Sequence, residues 1–135
     1  MACGLCESDG GELLWRGEQC RVVHVDEAGY PGCCRVIWNS HIAEMTDLTA
    51  AERNDFMRVV FEVEAGLRAL LDPDKINLAS LGNLTPHLHW HVIPRYRSDP
   101  HFPNPIWGTQ LREGSAIPAE VAALQRALAE RLSRL

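Results

Sequence analysis

Three histidines stand at alternate positions in the segment HLHWHVIPRY, residues 87–96: His87, His89 and His91. In a strand, successive side chains point to opposite faces, so the three imidazoles share one face and Leu88, Trp90 and Val92 share the other. The apolar side calls for a core. Burying the histidine side for packing alone would leave several ring nitrogens unpaired, so that side calls for a cleft or for polar partners. Three readings compete. The face is a solvated strand that happens to hold histidine. Or neighbouring histidines share a metal ion, although His87 and His91 would lie about 13 Å apart along a strand and cannot easily both reach one ion. Or one imidazole attacks a substrate while its neighbour moves protons, roles open to a side chain that titrates near neutral pH.

A second set of reactive residues lies at the start of the chain. Cys3 and Cys6 have the CxxC spacing of a metal knuckle or a redox pair, and alone the motif does not separate the two. Cys20, Cys33 and Cys34 fall in β-rich runs and read as small apolar packing residues.

The elements that must position these groups are legible from periodicity. Residues 13–17 (LLWRG) and 19–25 (QCRVVHV) read as strands joined tightly at Gly17-Glu18, and 33–38 (CCRVIW) as a third after the turn cluster 27–32. The clearest helix is 47–71. Phe56, Val59, Val60, Val63, Leu67, Leu70 and Leu71 form its apolar face, Thr49 and Glu52 a capping box, and Asp72-Pro73 a stop. INLASLG, 76–82, is a fourth strand candidate and the histidine segment a fifth. Residues 97–108 hold three prolines and read as an ordered or lid-like loop. Pro118 is expected to open a last helix with Val121, Leu124, Leu128 and Leu132 on one face.

Composition bounds the rest. At 135 residues, 46% hydrophobic and 23% charged, the sequence is that of one domain spanning 1–135. The net charge is −5, and of 13 basic residues only Lys75 is lysine, so nucleic acid is not an expected partner. No run approaches a membrane span and the first residues do not read as a signal peptide. Five cysteines, an odd number, are expected as reduced thiols in the cytoplasm.

HLHWHVI resembles the signature of the histidine triad superfamily, His-φ-His-φ-His-φ-φ with φ apolar, and Pro94-Arg95 continues the usual pattern. The CxxC, the strand pair, RVIWNSH at 35–41, the helix, Asn77 and the triad follow in that family's order. The resemblance implies an α+β fold of about five antiparallel strands packed on one long helix, with a C-terminal helix, in a homodimer. It implies a nucleotide-binding hydrolase or transferase, similar to diadenosine tetraphosphate hydrolases. Such a protein cleaves at the α-phosphate of dinucleoside polyphosphates, nucleoside phosphoramidates or related conjugates. By the family pattern His89 is the nucleophile that becomes nucleotidylated, and His91 contacts phosphate and assists the leaving group. The alternative is a nucleotide- or partner-binding protein of the same family with weak or vestigial catalysis. In zinc-containing branches the CxxC joins a histidine after the third strand and the first triad histidine. Here that set is Cys3, Cys6, His41 and His87, a structural zinc site in type.

The sequence departs from the family pattern in places. Where relatives carry Gln and Ser or Thr before the first histidine, this chain has Asn83 and Leu84, with Thr85 one place late. Asn83 can still donate to a phosphate oxygen or simply form a turn after Gly82. Asp26 falls near the family's ribose-binding acid and can equally be a surface turn residue. His24 reads as half-buried structure, His101 lies in the proline-rich loop, and Trp107 either packs or covers a base.

Overall fold

A computed structural model of the chain describes residues 2–27, 29–114 and 120–135. Five strands, β1 (Glu12–Arg16), β2 (Cys20–His24), β3 (Cys34–Trp38), β4 (Lys75–Ala79) and β5 (His89–Arg95), form one sheet in the order β1-β2-β3-β5-β4. Every pairing is antiparallel. Three helices, α1 (Gly4–Glu7), α2 (Ala50–Leu71) and α3 (Val121–Leu132), complete the α+β fold expected from the sequence. The expectation of a helix opening at Pro118 falls outside the described residues.

Register decides what each face of the sheet carries. Cys34 pairs with Val92 and Val36 with Trp90, and these side chains belong to the core under α2 and α3. The intervening pairs, Arg35 with His91 and Ile37 with His89, therefore point to the opposite face. Alternation that buries Leu88 and Val92 thus delivers the catalytic candidates to the other side of the same strand.

Helix α2 supplies the core wall. Phe56, Val59, Val60, Val63 and Leu67 are buried, each contributing about 1.5–3 kcal/mol by leaving water. Leu70, in the last turn, is 42% exposed and does not join them. The Thr49 hydroxyl accepts from the Glu52 amide at 3.2 Å, and the Glu52 carboxylate accepts from the Thr49 amide at 2.8 Å. This capping box satisfies two helix-end donors. At the other end Asp72 adopts φ 46°, ending the helix before Pro73. Helix α3 rests on α2 through Leu124, Leu128 and Leu132, all buried. The approach is close at Gly66, where a side-chain carbon would come within 2.5 Å of Leu128. No described helix is long and apolar enough to cross a membrane.

Candidate functional site

The nucleophile candidate is held by its own strand. His89 is buried, and its Nδ1 lies 2.6 Å from the carbonyl oxygen of His87. A carbonyl only accepts, so Nδ1 carries the proton and donates, which leaves the lone pair on Nε2. The Ser80 hydroxyl donates to the His89 carbonyl at 2.8 Å and fixes the backbone from the β4 side. Burial pushes the His89 ring below its ordinary pKa, the His87 carbonyl opposes this, and Arg35 adds to the fall. The neutral form of the ring is therefore favoured.

His91 meets His89 edge to face at 4.9 Å between ring centres. Burial, then His89, then Arg35 push its pKa down to about 4. Both histidines open onto a cavity of about 310 Å³, whose wall also includes Arg35, Asn83, Thr85 and Trp107. That volume is at the lower end of small-molecule sites. Asn83 thus stands on the same cavity wall as the two histidines. Asp26 does not: it is exposed after β2 and is not part of this wall. The chain leaves the sheet at His24, two residues before it.

Arg35, also on this wall, is not among the site residues the sequence singles out. Its signal was a single charge inside the apolar run CRVIW, and its meaning depends on β3 pairing with β5 across an intervening helix and strand.

The proline-rich loop is anchored from beneath. Buried Arg95 donates to both oxygens of buried Asp99 at 2.7 and 3.0 Å, to Asn77 at 2.7 Å and to the Asn104 carbonyl at 2.7 Å. Asp99 also accepts from the amides of Tyr96, His101 and Phe102. Burial alone would raise the Asp99 pKa, but these donors, Arg95 foremost, hold it below the ordinary value of 3.8. Tyr30 adds a contact to His101 through its hydroxyl. The loop so fixed carries Trp107, which meets the His91 ring edge-on at 5.0 Å while remaining 51% exposed. Asp99→Asn is expected to cost about 3–5 kcal/mol, because it strands a buried guanidinium. A group with a depressed folded pKa stabilises above its unfolded pKa, and the contribution is lost as pH falls through the folded value. Denaturant titrations from pH 7 to pH 2 should therefore show an acid-labile part of the stability that Asp99→Asn lacks.

The four anticipated metal ligands converge. One donor atom each from Cys3, Cys6, His41 and His87 all lie within 4.8 Å of one another. Nδ1 of His87 is 3.4 Å from both sulfurs, and Nδ1 of His41 is 3.4 Å from Cys6. Zinc bonds of about 2.0–2.3 Å in a tetrahedron put neighbouring donors roughly 3.3–3.8 Å apart, so the cluster fits such an ion. His87 is fully buried and its Nε2 donates to the Trp38 carbonyl at 2.6 Å, which turns Nδ1 and its lone pair toward the sulfurs. Strand β5 begins only at His89, so His87 is free of the strict face alternation and its ring turns toward α1. Cys20, Cys33 and Cys34 are buried, as anticipated, and burial pushes their thiols far up. His24 is half-buried, with Nε2 unpartnered among the described residues.

A single antiparallel sheet whose inner strand β5, between β3 and the edge strand β4, presents paired histidines to a cleft narrows the class of protein. Residues 11–98 match the HIT domain, and the chain belongs to that family, the histidine triad proteins. A histidine triad protein from Marinobacter aquaeolei is 27% identical, with 94% of this chain and 92% of that one covered at a TM-score of 0.75. A histidine triad (HIT) protein from Sinorhizobium meliloti is 26% identical over 100% of this chain and 96% of its own, with a TM-score of 0.74. A Zn-bound histidine triad family protein from Mycobacterium smegmatis shares the fold at 20% identity, with 99% and 95% covered and a TM-score of 0.64. No curated protein matches the chain significantly.

Proposed function

We propose that the protein is a nucleotide-binding hydrolase that cleaves at the α-phosphate of nucleotide conjugates through a covalent nucleotidyl-His89. The observation that carries this is the 2.6 Å hydrogen bond from His89 Nδ1 to the His87 carbonyl, which frees Nε2 at the wall of a cavity of small-molecule size. Nε2 attacks phosphorus, the Nε2–P bond forms and the bond to the leaving group breaks. Water then attacks the same phosphorus and the P–N bond breaks, releasing a nucleoside monophosphate. Positive charge that builds on the ring is shared with the His87 carbonyl, so the hydrogen bond strengthens as the reaction proceeds. Asn83 is suited to donate its amide to a phosphate oxygen.

With its pKa pushed down to about 4, the His91 ring is neutral at pH 7 before substrate binds. An anionic phosphate placed against it favours the protonated ring, so substrate itself arms His91 as an acid. His91→Ala should then slow substrates with poor leaving groups about 10²–10⁴-fold and those with good leaving groups much less. Rates plotted against leaving-group pKa check this. Equal slowing across the series would reduce His91 to a phosphate contact. Zinc at Cys3, Cys6, His41 and His87 would be structural, tying the N-terminal segment to the sheet.

The functional reading is tested by a hydrolysis screen of purified protein over dinucleoside polyphosphates, nucleoside phosphoramidates and adenylylated small molecules. Release of a nucleoside monophosphate from at least one class is expected. No turnover on any class, with nucleotide binding intact, would favour a binding protein instead.

A further inference from the structure

Building on the hydrolase reading of this site, we propose that Arg35 selects the leaving group, its guanidinium binding an anionic group displaced from phosphorus. Substrates whose leaving group is itself a phosphate chain are then preferred over those that release an amine.

Three observations support the assignment. Arg35 pairs with His91 in the β3–β5 register, so it stands on the histidine face beside the residue that borders the leaving group. It takes part in none of the ion pairs among the described residues, and its Nε is buried without a hydrogen-bond partner there. It lines the same cavity as His89, His91 and Asn83, and no Asp or Glu shares that wall.

A half-buried guanidinium with an unmet donor and no carboxylate to neutralise it is costly to keep unless a ligand completes it. The planar fork of donors matches phosphate oxygens. The α-phosphate exists in every candidate substrate and gives no discrimination. A second phosphate exists only where the leaving group is a phosphate chain, and there the arginine gains a charge-assisted contact that grows as the departing oxygen takes up the bond's electrons. An amine leaving group must instead receive a proton, and a fixed cation next to His91 opposes putting that proton in place. The same residue thus favours one class and disfavours the other.

The test has a binding arm and a turnover arm. In the first, wild type and Arg35→Gln are titrated calorimetrically with AMP and with adenosine 5′-(α,β-methylene)diphosphate, whose P–C–P bridge resists cleavage. Wild type should bind the two-phosphate probe about 10–100-fold tighter than AMP, as a charge-assisted hydrogen bond supplies. Arg35→Gln should lose most of that ratio and Arg35→Lys should recover part of it. Should the glutamine variant fold poorly, Arg35→Met, which keeps the stem and drops the charge, carries the same expectation. In the second arm, the ratio of kcat/KM for diadenosine tetraphosphate over an adenosine phosphoramidate should fall about 10-fold or more in Arg35→Gln. Failure of wild type to favour the two-phosphate probe overturns the assignment. So does a ratio that survives in the variant, or turnover of both substrates falling in equal proportion. Probe discrimination that depends on Arg35 in a protein that hydrolyses neither substrate would uphold the arginine's preference and remove the hydrolase reading, so the two fail separately.

Discussion

His89→Ala is expected to abolish turnover, by about 10³-fold or more, while nucleotide affinity stays within a few-fold of wild type. The imidazole supplies the bond to phosphorus, and no other described group on the cavity wall combines a free lone pair with a fixed orientation like that of Nε2. A 10³-fold loss corresponds to about 4 kcal/mol of transition-state stabilisation. Binding should survive because Asn83, Arg35 and the cavity wall supply most ground-state contacts. Stopped assays on the best substrate, paired with calorimetry for the nucleoside monophosphate, check both halves. Activity within about tenfold of wild type, only about 1.4 kcal/mol, is too small a loss for a nucleophile.

The second large effect concerns the cysteine–histidine cluster. Protein purified without chelators should contain about one zinc per chain by elemental analysis. Cys6→Ser should lower zinc content and reduce the melting temperature by about 10 °C or more, because metal binding energy is folding energy when the ligands come from separate segments. Those segments here are α1, the stretch after β3, and the approach to β5. His89 and His91 lie outside the four-donor cluster, so rates per folded molecule should fall far less than in His89→Ala. His87 joins the two sites through different atoms: its ring faces the sulfurs and its carbonyl accepts the hydrogen bond from His89 Nδ1. Metal-free protein of unchanged stability would remove zinc and leave the His89 chemistry standing.

Much of the fold was legible because each long element has a period its core imposes. The apolar face of α2 and the alternation in β5 are both written in the sequence, since each buries one side against the same core. The four-residue α1 was not legible, for a single turn is too short to show a period and forms through contacts of Leu5 with Val23 and Ile37. The pairing of Arg35 with His91 was hidden for another reason: β3 and β5 are joined only through α2 and β4, and register across such a crossover is set in three dimensions. The buried Arg95–Asp99 pair was hidden likewise, because four residues apart in a loop two charges usually read as solvated. The triad itself stood out because alternate histidines in an apolar strand are costly without a cleft to serve.

The most direct test of the central claim is to trap the intermediate. Protein mixed with a nucleotide conjugate labelled in the nucleoside is quenched within milliseconds to seconds, digested and examined by mass spectrometry. Phosphoramidates of histidine are acid-labile, so the quench is alkaline. The expected result is one nucleoside monophosphate attached through a P–N bond to the peptide bearing His89, appearing and decaying with turnover and absent from His89→Ala. Turnover that proceeds with no adduct at any time, together with inversion of configuration at a chiral α-phosphorus, would contradict it, since one direct displacement by water inverts and two successive displacements retain.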